Sequence, residues 1–420
     1  MLYAQWQRIV AARAEEVACW DIHARRQYKF REIQELVDAR NEKQAGMATA
    51  SGADIQFFVQ LLLAWRDGVP FCPLEPGQLV PRLHSLPPWC AHVKLTSGST
   101  GKAKAVLFTE RQLKADVDQI VATMGLQQNW PNLGVISLAH SYGFSNLALP
   151  LLLHGIPLIL AGAPLPETVL HGAGLVPHVT IPAVPAIWRS WLETKSIPVN
   201  CRLAISAGAP LRIGLEQEIY SSTGLKVHNF YGASECGGIA YDRSTEPRKN
   251  EEIIGQAMNG VRLSISEEGC LAVQSEAVGE CYWPAQSSAI KPGLFYTEDL
   301  AEIRNGVVHL RGRKGDLINV AGRKVAPEQI EEILRTFPAV KECVVFGIPE
   351  KTETNRGEWI VACVNVHPGT EIAQLRNHLL QQIPAWQLPR EWWFEPTLKV
   401  NLRGKLSRAE WRNTYLKRNS

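Results

Sequence analysis

Hydrophobic and polar positions alternate in different ways along successive stretches of the chain. Between about residues 91 and 206, short apolar runs of strand length recur at 91–95, 105–108, 135–138, 158–161, 179–185 and 203–206. Apolar residues at helical spacing separate several of these runs, most clearly at 113–124, after the capping-box residues Thr109 and Gln112. Strands that alternate with helices predict an α/β fold with a mostly parallel sheet covered on both faces.

The pattern changes after about Gly255. Apolar positions alternate with polar ones at 261–265 and again at 271–273, as expected for half-buried strands. The dipeptide Asn305-Gly306, placed between two strand-like runs, predicts a two-residue hairpin. This part of the chain is therefore predicted to be antiparallel.

Beyond Gly315 the chain contains a self-contained set of predicted elements. They are a helix from about Pro327, strands at 343–348 and 359–366, and a helix that carries the apolar residues between 372 and 380. A set of this size is enough for a small α+β domain of roughly a hundred residues. The sequence predicts a large domain over 1–312, a hinge near 313–316 and a small domain over 316–420.

Composition and charge narrow the class of protein. Of the 420 residues, 45% are hydrophobic and 20% are charged, which is typical of a globular protein with two or three domains. Lys and Arg number 44 against 41 Asp and Glu. The resulting net charge of +3 gives no reason to expect nucleic acid or an anionic membrane surface as a partner.

Three further features bear on where the protein works. The most apolar stretch, 147–162, is short and interrupted by Pro150 and Pro157, so we expect buried core and no transmembrane segment. The nine cysteines are scattered and include no Cys-x-x-Cys pair, which favours reduced thiols over disulfides or zinc. The N-terminal segment has no apolar signal-peptide core. We therefore expect a cytoplasmic protein.

The segment from Thr96 to Lys104, TSGSTGKAK, is rich in small and hydroxyl-bearing residues. Backbone N–H groups and hydroxyls crowded together in this way suit the oxygens of a phosphate group. A Walker loop is excluded, because no Gly-x-x-x-x-Gly-Lys-Ser/Thr register fits the segment. Taken alone, phosphate binding competes with the simpler interpretation of a flexible surface loop.

Seven further segments follow in a distinctive order. They are HSYGF at 140–144, SAGAPL at 206–211, YGASE at 231–235, YTEDL at 296–300, GRKGD at 312–316, AGRKVAP at 321–327 and NLRGK at 401–405. Together with 96–104 they resemble the motifs of the acyl-adenylate-forming superfamily, which holds acyl-CoA synthetases, adenylation domains of peptide synthetases and beetle luciferases. The resemblance covers about residues 30–408. It implies a large domain with a distorted barrel-like antiparallel part and a mobile small domain that acts as a lid.

The resemblance implies a role for each motif in binding ATP and Mg²⁺. Glu235 would help to hold Mg²⁺, and Lys405 would neutralise the acid carboxylate and the α-phosphate. The residues implied to contact the nucleotide are Thr96, Ser97, Gly98, Ser99, Thr100, Gly101 and Lys104 at the pyrophosphate, Gly208, Ala209 and Pro210 beside the adenine, Tyr231, Gly232 and Ser234 in the third motif, and Asp299 and Arg313 at the ribose.

The resemblance also implies where the acid and the acceptor thiol bind. The residues involved are Tyr142, Phe144 and Ala207 at the acid, and Gly322, Arg323 and Lys324 along the tunnel for the thiol of coenzyme A or of a carrier-protein phosphopantetheine. His140 would be a movable gate or pocket wall, although a lone histidine at a strand end is more often structural. Tyr142 and Phe144 are also compatible with core aromatics.

Several positions depart from the wording that is usual in the family. Ala103 replaces a proline of the phosphate loop, and Glu298 stands where a glycine normally precedes the ribose-binding aspartate. Gly315 occupies a hinge position where many relatives have Asp or Lys, and glycine can absorb a large dihedral change. The region before Thr96 is short, so we expect a trimmed N-terminal subdomain.

These features together predict an AMP-forming acid–CoA ligase. No acidic residue occurs between Gly134 and Pro166, where an amino-acid-activating enzyme would need one, so an aromatic or short-to-medium acyl acid is expected. A stand-alone ligase that loads a separate acyl-carrier protein remains open. So does a non-catalytic acyl- or nucleotide-binding relative, although Glu235, Asp299, Arg313 and Lys405 are all retained.

Overall fold

The computed structural model describes residues 1–83, 85–96, 104–285, 287–320, 322–349, 357–398 and 406–419. The candidate residues Ser97, Gly98, Ser99, Thr100, Gly101 and Lys405 lie outside these ranges. The chain divides into two compact units. The larger unit is Met1–Ser264, Ala272–Thr297 and Ile303–Val308, and the smaller unit is Ile265–Leu271, Glu298–Glu302 and His309–Ser420.

Helices and strands alternate through the first half of the larger unit. In chain order they are α1 (Leu2–Arg13), β1 (Val17–Asp21), β2 (Arg26–Lys29), α2 (Phe30–Asp38), β3 (Ala48–Ser51), α3 (Ile55–Asp67), β4 (Phe71–Leu74), β5 (His92–Thr96), β6 (Lys104–Phe108), α4 (Glu110–Met124) and β7 (Asn132–Gly134). The next are α5 (Ser141–Gly143), a π-helix (Phe144–Ala148), α6 (Leu149–His154), β8 (Leu158–Leu160), α7 (Pro166–Ala173), β9 (Val179–Ala183), α8 (Pro185–Glu193), β10 (Cys201–Ser206) and α9 (Ile213–Thr223).

Strands predominate in the following stretch. They are β11 (Val227–Ala233), β12 (Gly237–Tyr241), β13 (Ile253–Ala257), β14 (Arg262–Ile265), β15 (Cys270–Gln274), β16 (Cys281–Trp283), β17 (Ile290–Lys291), β18 (Leu294–Arg304) and β19 (Val307–Arg313). Strands β14, β15, β18 and β19 contribute residues to both units. The turn between β18 and β19 has positive φ at both Asn305 and Gly306, which confirms the predicted two-residue hairpin.

A parallel sheet forms the centre of the larger unit, as predicted. Its order is β11-β10-β9-β7-β8-β1, with each neighbouring pair parallel. Helices cover this sheet because its strands are apolar on both faces, and Trp188 and Trp191 of α8 are fully buried against it. Parallel strands place their carboxyl ends at one edge. The motif residues at the ends of β10 and β11 therefore leave the sheet on the same side.

The position predicted for one central strand is wrong. The apolar run 135–138 is not a strand, and the strand lies immediately before it, at Asn132–Gly134. Val135 and Leu138 are nevertheless buried. The run was apolar because it packs into the interior after leaving the sheet, and burial alone does not distinguish a strand from a buried loop.

A second, smaller sheet carries the strands on either side of the segment 97–103. Its order is β16-β6-β5-β4-β3, in which β3, β4 and β5 are parallel and β6 is antiparallel to both β5 and β16. The helices next to this sheet begin and end as their sequences indicate. Thr109 and Gln112 form the predicted capping box of α4, and Gly68 ends α3 in the left-handed conformation.

The smaller unit has its own core. Its later elements are a 3₁₀ turn (Lys314–Asp316), β20 (Ile318–Val320), β21 (Arg323–Val325), α10 (Pro327–Arg335), β22 (Val340–Pro349), β23 (Glu358–Val366), α11 (Ile372–Leu380), a 3₁₀ turn (Ala385–Gln387), β24 (Glu391–Phe394) and α12 (Arg408–Arg418). Strands β22 and β23 are antiparallel, and β24 adds in parallel to β23. Apolar side chains of α10 and α11 pack against this three-stranded sheet.

Two predictions about burial and membranes can be checked directly. The nine cysteines are unpaired, and all except the half-buried Cys281 are buried. No helix within the described ranges is long and apolar enough to cross a membrane.

A buried group of four charges ties α9 to the strands beside it. The Lys226 ammonium donates to Glu216 Oε1 at 2.5 Å and to Asp242 Oδ2 at 2.6 Å. The Arg248 guanidinium donates to Glu216 Oε2 at 2.9 Å. Burial acts to raise the pKa of Asp242, but the hydrogen bonds from Lys226 and Ser244 outweigh it and leave this pKa below its ordinary value. These four charges can be buried because each of them has a partner of opposite charge.

The first prediction follows from this group. Lys226→Met should lower the free energy of unfolding by about 3–5 kcal/mol, because it leaves the buried carboxylate of Asp242 without its cation. Urea unfolding followed by tryptophan fluorescence measures the loss. Arg189→Met is the matched control, since the Arg189–Glu218 pair is exposed and should contribute less than about 1 kcal/mol. Equal losses in the two variants would contradict the prediction.

Candidate active site

The segment from Thr96 to Lys104, the candidate for binding phosphate, begins and ends at two residues that pair with each other in a sheet. Thr96, the last residue of β5, lies opposite Lys104, the first residue of β6. The Thr96 hydroxyl also donates to the Lys104 carbonyl at 3.3 Å. The two ends of the serine, threonine and glycine segment are therefore held together by the sheet.

A tyrosine, Tyr282, connects Glu235 to one of these ends, Lys104. The Tyr282 hydroxyl donates to Glu235 Oε1 at 2.9 Å, and the Lys104 ammonium lies 5.4 Å from the centre of the Tyr282 ring. Tyr282 belongs to β16, where it lies opposite Val106 of β6. The structure thus brings together two predicted residues, Lys104 and Glu235, that are far apart in the sequence.

A buried ion pair supports the strands behind these residues. The Lys94 ammonium lies 3.5 Å from Asp116 Oδ2, and both side chains are buried. Ser145 donates to the same carboxylate oxygen at 2.6 Å, and the Gly238 N–H donates to Asp116 Oδ1 at 3.3 Å. Asp116 therefore joins β5, α4, the π-helix and β12, which starts two residues after Glu235.

His92 extends this interior polar group. It is fully buried, and neither ring nitrogen has a hydrogen-bond partner among the described residues. Burial, together with the nearby Lys94, holds the pKa of His92 well below its usual value. The imidazole is therefore neutral and stacks on Phe144, with ring centres 4.3 Å apart.

His140, the predicted gate, contacts a carboxylate from another segment. Its Nε2 lies 2.9 Å from Glu75 Oε1, which also accepts a hydrogen bond from the Ser137 hydroxyl at 2.8 Å. Glu75 follows β4. The absence of acidic residues between 134 and 166 thus does not keep carboxylates away from this motif, because folding supplies one from elsewhere in the chain.

The two aromatic residues after His140 occupy different surroundings. Tyr142 crosses the ends of the parallel strands, with its hydroxyl 3.3 Å from the Ile205 carbonyl and 3.4 Å from that of Ala183. Burial raises the pKa of Tyr142 well above its ordinary value, so the phenol keeps its proton. Phe144 is fully buried and packs on His92.

The motif after β10 makes a tight turn at the same sheet edge. Gly208 has φ +84°, a conformation that favours glycine, and a side chain there would meet Val184 at 3.3 Å. Ala207 is buried and donates its N–H to the Ala183 carbonyl at 3.3 Å. The buried Ser206 hydroxyl has no hydrogen-bond partner among the described residues. Ser206 therefore places a hydroxyl without a described partner at the sheet edge where Tyr142 lies.

The Tyr-Gly motif itself runs along the end of β11. Tyr231 lies opposite Ala240, and Gly232 lies opposite Gly238, with a register shift between the two pairs. A side chain at Gly232 would come within 2.6 Å of the Gly237 carbonyl. Tyr231 and Ser234 are half-buried. The motif therefore needs its glycine for a close approach of two strands.

The smaller unit contains a second set of predicted residues. Asp299 accepts a hydrogen bond from Arg313 Nε at 2.8 Å, although the arginine side chain is 60% exposed. Arg323 and Lys324 are exposed on β21, and the Arg323 guanidinium lies 5.1 Å from the centre of the Trp386 ring. The Gly322 N–H donates to Asn319 Oδ1 at 2.9 Å. The structure brings Asp299 and Arg313 together as an ion pair.

The described residues could bind a magnesium ion only if phosphate oxygens supplied further ligands. Within those ranges no three His, Cys, Asp or Glu side chains form a cluster that could hold a metal. Glu235 Oε2 accepts no hydrogen bond from the part of the chain that the structure describes, whereas Oε1 is bonded to Tyr282. One carboxylate oxygen combined with phosphate oxygens and water is the usual set for Mg²⁺ in nucleotide sites.

Cysteine chemistry is not expected at this site. Cys236 follows Glu235 directly, but it is fully buried. Burial, and then the charge of Glu235, raises the pKa of the Cys236 thiol well above its ordinary value. The thiol therefore stays protonated and is a poor nucleophile.

Sequence reasoning missed several residues of the site. Tyr282 and Glu75 carry no signal that distinguishes them from other surface-strand or loop residues. Lys94 and Asp116 do carry one, because each interrupts an apolar pattern that is otherwise buried. A lysine on the buried face of a strand requires a partner.

Comparison with protein-family models gives two matches along the chain. The model described as "AMP-binding enzyme" matches residues 29–285, and the model described as "AMP-binding enzyme C-terminal domain" matches residues 329–405. The first match covers more than half of the 420 residues. The motif segments 96–104, 140–144, 206–211 and 231–235 lie within it.

Curated relatives resemble most of the chain at modest identity. An anthranilate–CoA ligase of Pseudomonas aeruginosa is 28% identical over 346 residues, which cover 76% of this chain and 66% of that protein. The chain thus spans slightly less than two thirds of that relative. A probable 2-succinylbenzoate–CoA ligase of Mycobacterium tuberculosis is 27% identical over 345 residues, which cover 76% of this chain and 83% of that protein.

Solved structures share the fold over nearly the whole length. The ATP-bound MatB protein of Rhodopseudomonas palustris has a TM-score of 0.85 at 20% identity, with 99% of each chain covered. The o-succinylbenzoate CoA synthetase MenE of Bacillus subtilis, in complex with ATP and a magnesium ion, has a TM-score of 0.83 at 18% identity. That match covers 97% of this chain and 99% of MenE. The predicted fold class is confirmed.

The second prediction tests the packing behind Glu235. Gly237 has φ +69°, and an added Cβ would lie 2.0 Å from Asp116 Oδ1. Gly237→Ala should therefore displace the buried carboxylate and lower the free energy of unfolding by at least about 1–3 kcal/mol, measured by urea denaturation. Gly214→Ala in α9 is the control, because nothing lies within 4 Å of its Cβ position. Similar stabilities for the two variants would refute the role of Gly237.

Proposed function

Because the chain belongs to the AMP-binding enzyme family, we propose that it activates a carboxylic acid with ATP and passes the acyl group to coenzyme A. In the first step an oxygen of the acid carboxylate attacks the α-phosphorus of ATP, and pyrophosphate leaves. In the second step the sulfur of the thiol attacks the acyl carbon, the thiol loses its proton, and AMP leaves. The product is an acyl thioester.

The observation that carries this proposal is the meeting of Lys104 and Glu235 at Tyr282. The Lys104 ammonium lies over the ring of Tyr282, and the Glu235 carboxylate, which suits Mg²⁺, accepts a hydrogen bond from the hydroxyl of the same tyrosine. A site for a nucleoside triphosphate needs both charges, because phosphate oxygens require a cation and the metal requires a hard oxygen ligand. This arrangement distinguishes the site from an ordinary surface loop.

The first step is difficult because it brings two anions together. Positioning and fixed positive charge reduce this repulsion, and they act most strongly where water is excluded. Mg²⁺, when bound at Glu235, would neutralise phosphate charge. Lys104 would contact the leaving pyrophosphate, and Lys405 would neutralise the acid carboxylate and the α-phosphate. Asp299, paired with Arg313, offers a carboxylate for the ribose hydroxyls.

The acid is proposed to be hydrophobic, either aromatic or of short to medium length. Several relatives are named for aromatic acids, among them an anthranilate–CoA ligase and a feruloyl-CoA synthase of Amycolatopsis. Tyr142 is proposed to line the site of the acid, with its ring 5.9 Å from that of Phe230 and its hydroxyl against the strand ends. The unpaired, buried cysteines support a reducing compartment such as the cytoplasm.

A pyrophosphate-exchange screen tests the proposed function. Benzoates including anthranilate, cinnamates and fatty acids of graded length are offered with ATP, Mg²⁺ and labelled pyrophosphate, beside a set of amino acids. We expect exchange with at least one hydrophobic acid and none with amino acids, because the Glu75 carboxylate that folding brings to the motif at 140–144 is already paired with His140 and Ser137. Thioester formation is then compared with free coenzyme A and with a phosphopantetheinylated carrier protein. Absence of exchange over the whole panel, or exchange with amino acids alone, would refute the proposal.

The third prediction separates the two half-reactions. Lys405→Ala should lower the rate of adenylate formation about 10²–10³-fold, because it removes charge stabilisation at the α-phosphate. Thioester formation from a supplied acyl-adenylate should stay nearly unchanged, since that step does not use this charge. Rapid-quench kinetics of each step measures the difference. Lys341→Ala, at an exposed position of β22, is the control and should affect neither step. Equal damage to both steps in Lys405→Ala would contradict the assigned role.

A further inference from the structure

Tyr282 is in contact with two charged residues of the proposed site. Its hydroxyl donates to Glu235 Oε1 at 2.9 Å, and its ring lies under the Lys104 ammonium at 5.4 Å. We propose that Tyr282 is a positioning residue for the metal-dependent first step, in that it orients the Glu235 carboxylate toward Mg²⁺ and fixes it relative to Lys104. This inference rests on the proposed function.

The backbone around Tyr282 fixes where its side chain can point. Tyr282 pairs with Val106 in the antiparallel ladder between β16 and β6, and its side chain is buried. Two more backbone bonds tighten the same segment. The Glu280 N–H donates to the Leu107 carbonyl at 2.8 Å, and the Gly279 N–H donates to the Glu235 carbonyl at 2.8 Å.

Glu235 is consequently held at two points by one short segment of chain. Its main-chain carbonyl is bonded to Gly279, and its carboxylate is bonded to Tyr282. A side chain at Gly279 would meet Val106 at 2.6 Å, so this segment lies as close to β6 as a glycine allows. The position of Glu235 is therefore set by β6, the strand that begins at Lys104.

A hydrogen bond of this kind affects a metal ligand in a predictable way. A carboxylate that accepts a hydrogen bond on one oxygen presents the other in a fixed direction. Partners of metal ligands typically change metal affinity 10–100-fold when they are removed. The aromatic ring makes a separate contribution, since it attracts the Lys104 ammonium through its π face and does not need the hydroxyl for this.

Tyr282→Phe separates these two contributions. The variant keeps the ring under Lys104 and removes only the hydroxyl. We expect the Mg²⁺ concentration for half-maximal pyrophosphate exchange to rise at least about tenfold, because Glu235 is no longer oriented. The KM for ATP at saturating Mg²⁺ and the urea midpoint should stay nearly unchanged. Tyr282→Leu should in addition raise the KM for pyrophosphate, because Lys104 loses its ring contact.

A binding measurement checks the same point without turnover. Manganese titration of the ATP-saturated protein, followed by electron paramagnetic resonance, should show weaker Mn²⁺ binding in Tyr282→Phe by a factor similar to the shift in exchange. Tyr415→Phe is the matched control, because Tyr415 also donates to a carboxylate, that of Glu391, within the smaller unit. This control should leave Mn²⁺ binding unchanged.

A double-variant cycle completes the test. In a Glu235→Gln background, Tyr282→Phe should cause no further loss of Mn²⁺ affinity, because both changes act on one ligand. The inference would be overturned by additive losses of Mn²⁺ affinity in the double variant, or by unchanged Mn²⁺ binding in Tyr282→Phe. It would also be overturned if exchange fell in Tyr282→Phe with metal affinity intact and saturating Mg²⁺ did not restore it. Failure of the proposed function looks different. The unaltered protein would then exchange no pyrophosphate, while the Mn²⁺ titration with ATP would still report on Tyr282.

Discussion

Antiparallel pairing around β6 is the constraint on which the site depends. On one side of this strand, β5 ends at Thr96 opposite Lys104, so the ends of the serine, threonine and glycine segment stay together. On the other side, β16 places Tyr282 opposite Val106 and within reach of Glu235. Three segments from different parts of the sequence therefore converge because one strand has two neighbours. The proposed chemistry needs this convergence, because cationic groups and fixed positions must hold a triphosphate and a carboxylate together against their mutual repulsion.

Buried charge is used in two different ways in the larger unit. The group of Glu216, Lys226, Asp242 and Arg248 is internally satisfied and fastens α9 to the sheet. The pair Lys94–Asp116 instead lies directly behind the site and bonds to the backbone of β12 at Gly238. Removal of Lys226 from the first group, or of either residue of the Lys94–Asp116 pair, leaves a buried charge unpaired, which costs stability. The second group is bonded to the strand that begins two residues after Glu235, the residue proposed to hold Mg²⁺.

Local sequence signals predicted much of the fold but only part of the site. The capping box at Thr109, the end of α3 at Gly68 and the hairpin at Asn305-Gly306 were predictable because each depends on neighbouring residues. The strand expected at 135–138 was misplaced because burial of an apolar run does not require sheet hydrogen bonds. Tyr282 was missed because its partner Glu235 lies 47 residues earlier, and no local pattern marks such a contact. Glu75 reaches His140 in the same non-local way.

The central claim is that the segment after Thr96 and the carboxylate of Glu235 bind the same triphosphate. A crystal structure with a non-hydrolysable ATP analogue and Mn²⁺, examined by anomalous scattering, measures this most directly. We expect one Mn²⁺ peak at ligand distance from Glu235 Oε2 and from phosphate oxygens, with those phosphates in contact with residues 97–104. A triphosphate bound elsewhere, or a Mn²⁺ peak with no contact to Glu235, would contradict it.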